Sequence, residues 1–201
     1  MTFDDAATGL MVYVSGCPAS LAASIMRDAA IEFCKKTQCL MSGSEVTFTS
    51  AAGVPEWNFG SDQIIDVIDA KRADGGEICI LRLNDEAVDD LADDAYAIRF
   101  AEPNNLTITP APTADLVVEL VVIYAPGPES TTMHDSLWLR HHQALKHGAL
   151  AKLYEIPKRS WTDITLAAYY GGKFEADIKD AKSEVNRNVT KPGRRLRVKP
   201  A

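Results

Sequence analysis

The sequence has no surplus of basic residues, few glycines and cysteines, and no long apolar run. Its 201 residues carry 21 Lys and Arg against 28 Asp and Glu, a formal net charge of −7. That balance excludes a folded body that grips nucleic acid through a basic surface. Twelve glycines are far too few for a collagen, and a hydrophobic content of 46% is too high for a disordered chain. The four cysteines, Cys17, Cys34, Cys39 and Cys79, form no CxxC pair and follow no secretory leader. Reduced thiols and no cleaved export signal are therefore expected. The longest apolar run, Leu116 to Ala125, is broken by Glu119. It falls well short of the roughly 20 residues that cross a bilayer, so no membrane partner is expected. A chain of this length can bury roughly 70% of its extended surface, enough for one domain or one domain with an insertion.

The net charge conceals a division along the chain. Residues 1–44 carry −1, residues 45–124 carry −12, residues 125–186 are neutral and residues 187–201 carry +6. Blocks of such different sign suit different partners.

Hydrophobic periodicity divides the chain in nearly the same places. From Pro18 to about Gln38, Ala22, Ile25, Met26, Ala29, Ala30 and Phe33 recur at three- and four-residue steps, which predicts an amphipathic helix that needs a partner. Residues 45–124 change to short runs rich in Val, Ile, Thr, Tyr and Phe: 45–50, 64–70, 77–83, 95–100, 106–109 and 115–124. Turn residues separate them, with Asp74-Gly75 as a hairpin signal and Glu102 to Asn105 as another. The pattern predicts an antiparallel sheet or a small sandwich. Between Asn84 and Asp94 the reading is one or two helical turns capped by Asn84. Helical spacing returns from Met133 to Glu155, closed by Ile156-Pro157, and from Thr162 to Asn188. In the second of these, Ala167, Tyr170, Phe174, Ile178, Ala181 and Val185 form a seam close to a heptad.

The expected fold class is therefore α+β. A small helical bundle, made of an N-terminal helix in 1–44 and a helix pair in 125–188, is interrupted by a β-rich insertion in 45–124. An extended basic arm follows in 189–201, where no core face exists.

Motifs that would carry chemistry are missing. The four histidines, His134, His141, His142 and His147, never stand four apart, the spacing that puts two rings on one helical face for zinc. No GxSxG or SxxK segment offers a nucleophile, and no GxxxxGK[ST] or GxGxxG loop cradles a phosphate. The acidic run Asp85, Glu86, Asp89, Asp90, Asp93, Asp94 lacks the spacing of an EF-hand loop and reads as a solvated face. Trp57, Trp138 and Trp161 read as packing anchors. Gly171-Gly172, inside the last helix, reads as close packing or a local bend. No cofactor or metal is expected, and the chain does not read as an enzyme.

Residues 137–187, LWLRHHQALKHGALAKLYEIPKRSWTDITLAAYYGGKFEADIKDAKSEVNR, carry a resemblance. A helix with small residues from Leu145 to Leu150 is followed by the break at Ile156-Pro157 and by Trp161. A helix holding Phe174, Ile178, Ala181 and Lys182 then leads into the basic tail. This arrangement, with the N-terminal helix and β insertion before it, resembles the phage head-to-tail connector (adaptor) family that includes tail tubular protein A of short-tailed phages.

The resemblance implies a virion structural protein of the neck, assembled in the host cytoplasm. It implies a homo-oligomeric ring, twelvefold to match a portal, that joins the capsid vertex to the tail or nozzle. Genomic DNA would pass through without sequence-specific binding. Leu137, Leu145, Tyr170, Phe174, Ile178 and Val185 would serve inter-subunit or bundle packing. Arg187, Lys191, Arg194, Arg195, Leu196, Arg197, Val198 and Lys199 would form a portal-docking arm, its cations meeting carboxylates and its two apolar side chains filling pockets. Alternatives within the class are a tail-completion or tail-terminator protein. Outside it stand a metal-dependent enzyme using the acidic run or the histidines, and an acidic module that binds a basic partner through residues 85–94.

Overall fold

The structure, a computed structural model, describes residues 1–48, 61–76, 78–81, 95–101 and 104–189. The chain first lays down α1 (Phe3–Thr8) and α2 (Ala19–Thr37). It then forms β1 (Met41–Phe48), β2 (Asp62–Arg72), β3 (Ile78–Leu81), β4 (Tyr96–Ala101), β5 (Asn105–Thr109) and β6 (Leu116–Pro126). It ends on α3 (Asp135–Glu155) and α4 (Ile164–Val189). The α+β class and the order of helix, strands and helix pair agree with the sequence pattern.

Helix α1 is an addition that periodicity alone does not reveal, because six residues are too few to show it. Its local signal is a cap: Thr2 Oγ1 accepts from the Asp5 amide at 3.1 Å, and Asp4 and Asp5 occupy the positive end of the helix. Helix α2 starts after Pro18, whose extended φ of −61° and ψ of 135° place it just outside the helix, and stops where Gln38 turns left-handed at φ 57°.

Among the described residues the strands form two three-stranded sheets, ordered β1-β6-β2 and β3-β4-β5. The first is antiparallel throughout. In the second, β4 and β5 are antiparallel but β3 and β4 run parallel, from Ile78 beside Tyr96 to Leu81 beside Arg99. A parallel pair needs a crossover of about a dozen residues, and the interval between Leu81 and Tyr96 supplies that length. The hairpin expected at Asp74-Gly75 is corrected accordingly. The turn is present, with Gly75 at φ 87°, but β2 and β3 enter different sheets, so it turns a corner of the sandwich.

Two cores result. Val46, Phe48, Ile64, Val67, Val118, Leu120 and Val122 from one sheet meet Ile98, Leu106 and Ile108 from the other. The helical core gathers Met26, Ala30 and Phe33 of α2 with Leu137, Leu145 and Leu153 of α3 and Phe174 and Ile178 of α4. Strand β6 belongs to both, since Val118 to Val122 pack in the sandwich while Tyr124 and Ala125 reach the helices. Each fully buried large apolar side chain stabilises the fold by about 1.5–3 kcal/mol. The apolar seam of α2 thus finds the partners that follow residue 130, and the β-rich segment lies between them in sequence.

Candidate functional site

The surface best placed for function is the α3–α4 hairpin, which carries the residues singled out by the sequence and leaves one long helical face open. Helix α4 begins because Asp163 Oδ1 accepts from the amides of Thr165 at 2.9 Å and Leu166 at 3.0 Å. Its seam then turns inward: Ala167, Phe174, Ile178 and Ala181 are buried, and Tyr170 and Val185 are half-buried. Tyr170 stacks on Tyr154 with ring centres 5.8 Å apart, and Phe174 meets Phe33 at 6.2 Å. Leu137 and Leu145 of α3 are fully buried in the same core.

The glycine that packing demands is Gly148. A Cβ built there would stand 2.8 Å from Cε2 of Phe174, so the ring lies directly on the α3 backbone. Gly171 and Gly172 do neither of the things expected of them. Helix α4 passes both without interruption, Gly171 lies in ordinary contact with Ala151, and among the described residues nothing lies within 4 Å of a Cβ at Gly172. The break in regular helix is in α3, at His141, whose φ of −126° and ψ of 15° depart from helical values.

Each histidine has its own structural employment. His134 precedes α3 and accepts from the Ser136 amide at 3.3 Å. His141 packs against Phe33 at 5.0 Å, where burial pushes its imidazole below the ordinary histidine range. His142 lies 5.6 Å from Trp138. His147 Nδ1 is 2.7 Å from Asp177 Oδ2, which ties α3 to α4. Among the described residues no group of three or more His, Cys, Asp or Glu is placed to hold a metal ion. The acidic run 85–94 and Trp57 lie outside the described residues. Trp138 and Trp161 are half-buried against the helical core.

Ion pairs knit the three long helices. Lys36 reaches Glu32 at 2.9 Å and Glu175 at 2.6 Å, and Lys152 reaches Glu32 at 2.7 Å. Burial raises the Glu32 carboxyl, but the hydrogen bonds from Lys152 and Lys36 outweigh it and hold the group below the usual carboxylate range. The four cysteines are free thiols. Cys34 is pushed up by its hydrogen bond with Cys39 and by burial.

A cavity of about 170 Å³ opens beside the α3 break, lined by Leu40, Met41, Leu137, Arg140, His141 and Val185 among others. Three of the exposed apolar side chains lie at the start of α4, where Ile164 is 67% and Tyr169 53% exposed and Leu166 lies nearby at 36%. Leu139 on α3 is 75% exposed. None of these emerges from a search for buried periodicity, because they occupy the faces that the period leaves to solvent.

One expected arm residue is corrected. Arg187 is not part of an extended tail: it sits in the last turns of α4, where its Nε donates to the Ser183 carbonyl at 3.2 Å. No proline or glycine separates it from the seam, so the helix continues to Val189. Lys191, Arg194, Arg195, Leu196, Arg197, Val198 and Lys199 lie outside the described residues. Among the described residues no helix is long and apolar enough to cross a membrane.

A family model described as SU10 adaptor protein matches residues 1–197, almost the whole chain. No curated protein matches it.

Proposed function

We propose that this chain, which belongs to the SU10 adaptor protein family, joins the portal vertex of a phage capsid to its tail as a closed ring through which the genome passes. The family makes it a phage adaptor and a component of the virion. The family match carries the reading, and the order of helix, β-rich insertion, helix pair and basic tail supports it. A head-to-tail contact repeated around an axis closes into a ring when the rotation permits, and a twelvefold ring would match a portal. The portal would meet one end of the ring and a tail or nozzle protein the other.

The charge division fits that role. Residues 1–186 carry −13, so a channel through the body would repel phosphate and let DNA slide without sticking. The cationic tail after α4 would instead dock on the portal, with Leu196 and Val198 in apolar pockets and Lys191, Arg194, Arg195, Arg197 and Lys199 against carboxylates.

Electron micrographs of the purified protein, alone and mixed with portal particles, test the proposal. Rings of uniform size, coaxial with the portal, are expected. A chain that stays monomeric at high concentration and does not join portal particles overturns it.

A further inference from the structure

Two thiols meet where α2 hands the chain to β1. Helix α2 stops at a residue in the left-handed region, Gln38 at φ 57°, whose amide donates to the Cys34 carbonyl at 2.8 Å. In a helix that stops this way, the residue after the left-handed one commonly packs against the residue five places before it. Here those two residues are Cys39 and Cys34, and their thiols share a hydrogen bond. Cys34 is fully buried, and Cys39 is half-buried against the same helical core. The next residue, Leu40, is fixed in turn, since its carbonyl accepts from the Tyr124 amide of β6 at 3.1 Å. Both thiols are therefore held by bonded backbone at the joint between the helical core and the first sheet.

The two thiols are not equivalent. Cys39 lines the cavity of about 170 Å³ beside the α3 break, and Arg140 lines it too. The hydrogen bond from Cys34 and, more weakly, the charge of Arg140 favour a thiolate at Cys39 and hold it below the ordinary cysteine range against the effect of burial. Cys34 is pushed the other way. One thiol is thus nucleophilic and open to a small reagent, and the other stands protonated behind it. Neither remaining cysteine is placed like this: Cys17 Sγ donates to the Pro18 carbonyl at 3.6 Å, and Cys79 is exposed on β3 in the second sheet.

We infer that Cys34 and Cys39 are a redox pair, which hydrogen peroxide entering the cavity closes to an intramolecular disulfide and a thiol reductant reopens. The Cys39 thiolate attacks one peroxide oxygen. The O–O bond breaks, the departing hydroxide takes up a proton as water, and Cys39 is left as a sulfenic acid. The Cys34 sulfur then attacks the Cys39 sulfur, and its proton leaves with the sulfenic hydroxyl as a second water. Two thiols and one peroxide thus give one disulfide and two waters, with both electrons passing from sulfur to oxygen. The bond fixes the Gln38 turn and so fastens the start of β1 to the end of α2. A virion component is made where cellular reductants keep thiols open and acts outside that pool, so the pair is a dithiol during assembly and a disulfide in the released particle. That timing rests on the virion role, whereas the bond itself does not.

The unaltered full-length chain tests the bond. Protein is exposed to hydrogen peroxide at neutral pH, its remaining thiols are alkylated under denaturing conditions, and its peptides are mapped by mass spectrometry. A disulfide joining the peptides of Cys34 and Cys39, lost on adding dithiothreitol, is expected, with Cys17 still alkylated. In Cys34→Ala, which removes the resolving sulfur and keeps the site apolar, Cys39 is expected to accumulate about tenfold more dimedone-trapped sulfenic acid than in the wild type. In Cys39→Ala, Cys34 should remain a thiol through the same exposure. Cys34 and Cys39 both alkylated once Cys79 has been oxidised, a sulfinic or sulfonic acid at Cys39 in place of the bond, or pairing of either with Cys17 or Cys79 overturns the inference. Released particles and freshly lysed cells, both quenched with alkylating agent and mapped in the same way, read the timing: the disulfide is expected in the particles and the dithiol in the cells. The dithiol in both overturns the timing alone.

Discussion

Phe174 of α4 lies on the bare backbone of Gly148 in α3, so close that an alanine Cβ would stand 2.8 Å from its Cε2 atom. The ring is 4% exposed and also meets Phe33 of α2, so three helices converge on one aromatic side chain.

Gly148→Ala is therefore expected to destabilise the protein. Alanine favours helix by about 1 kcal/mol, but overpacking a filled site costs about 1–3 kcal/mol, and the Phe174 ring has Phe33 behind it. Gly172→Ala, where a Cβ meets open space, is expected to gain about 0.5–1 kcal/mol in the isolated subunit. Urea denaturation of the two variants should move the midpoint in opposite directions. Equal shifts of the same sign would show that Phe174 does not constrain α3 at this point.

His141 predicts a pH dependence on the acid side. Burial holds its pKa below the ordinary value of 6.5, against a smaller opposing influence from Glu184. The unfolded chain thus takes up a proton that the folded one resists. The associated stability is complete above about pH 6.5 and is lost as the pH falls toward the lowered value. His141→Leu is expected to flatten the decline in urea midpoint that begins just below pH 6.5. A wild-type profile that is level between pH 7 and pH 5.5 would contradict this.

Glu32 acts in a lower window. Its folded pKa lies below 4.5, so the stability it brings is present above that value and disappears as the pH drops through the folded pKa. Glu32→Gln should lower stability at neutral pH and remove part of the steep loss below about pH 4.5. Raising the salt concentration should shrink the difference between the two proteins, because Lys36 and Glu175 are exposed. The measurement is the melting temperature at pH 7 and pH 4, each at low and high salt.

Much of this architecture was legible in the amino-acid order. The seam Ala167, Phe174, Ile178, Ala181 repeats at helical spacing because a buried stripe must, and Ile156-Pro157 stops α3 because the residue before a proline is driven out of the helical region. Three features were not legible. Helix α1 is shorter than a hydrophobic period can register. The parallel pairing of β3 with β4 depends on which sheet each strand joins, a long-range choice that local alternation does not encode. The roles of the glycines depend on what stands opposite them: Gly148 faces Phe174, from a different helix, whereas Gly172 faces nothing among the described residues.

The candidate surface was legible only in part, for a related reason. Periodicity identifies what a helix buries, and Leu137, Leu145 and Phe174 follow from it. The ion pairs that tie α4 to its neighbours do not follow from it: Lys36 with Glu175, and His147 with Asp177. No spacing rule supplies those partners, since they lie 139 and 30 residues away.

The tail after α4 yields the last prediction. Because α4 runs to Val189 and Arg187 is bonded within it, a deletion that isolates the tail begins at Thr190 and leaves the helix intact. Residues 190–201 hold Lys191, Arg194, Arg195, Arg197 and Lys199 and no acid. Five cations on so short a segment would be strongly attracted to a carboxylate-lined site, and salt would weaken that attraction. The truncated protein is expected to keep the wild-type melting temperature and oligomeric state but to lose attachment to portal particles in co-sedimentation. Full-length protein should lose most of its attachment between low and high ionic strength. If Leu196 and Val198 anchor the contact, Leu196→Ser with Val198→Ser should reduce attachment even at low salt, where the charges alone are at their strongest. Attachment that survives the truncation unchanged would remove the tail from the portal interface and leave docking to the folded body.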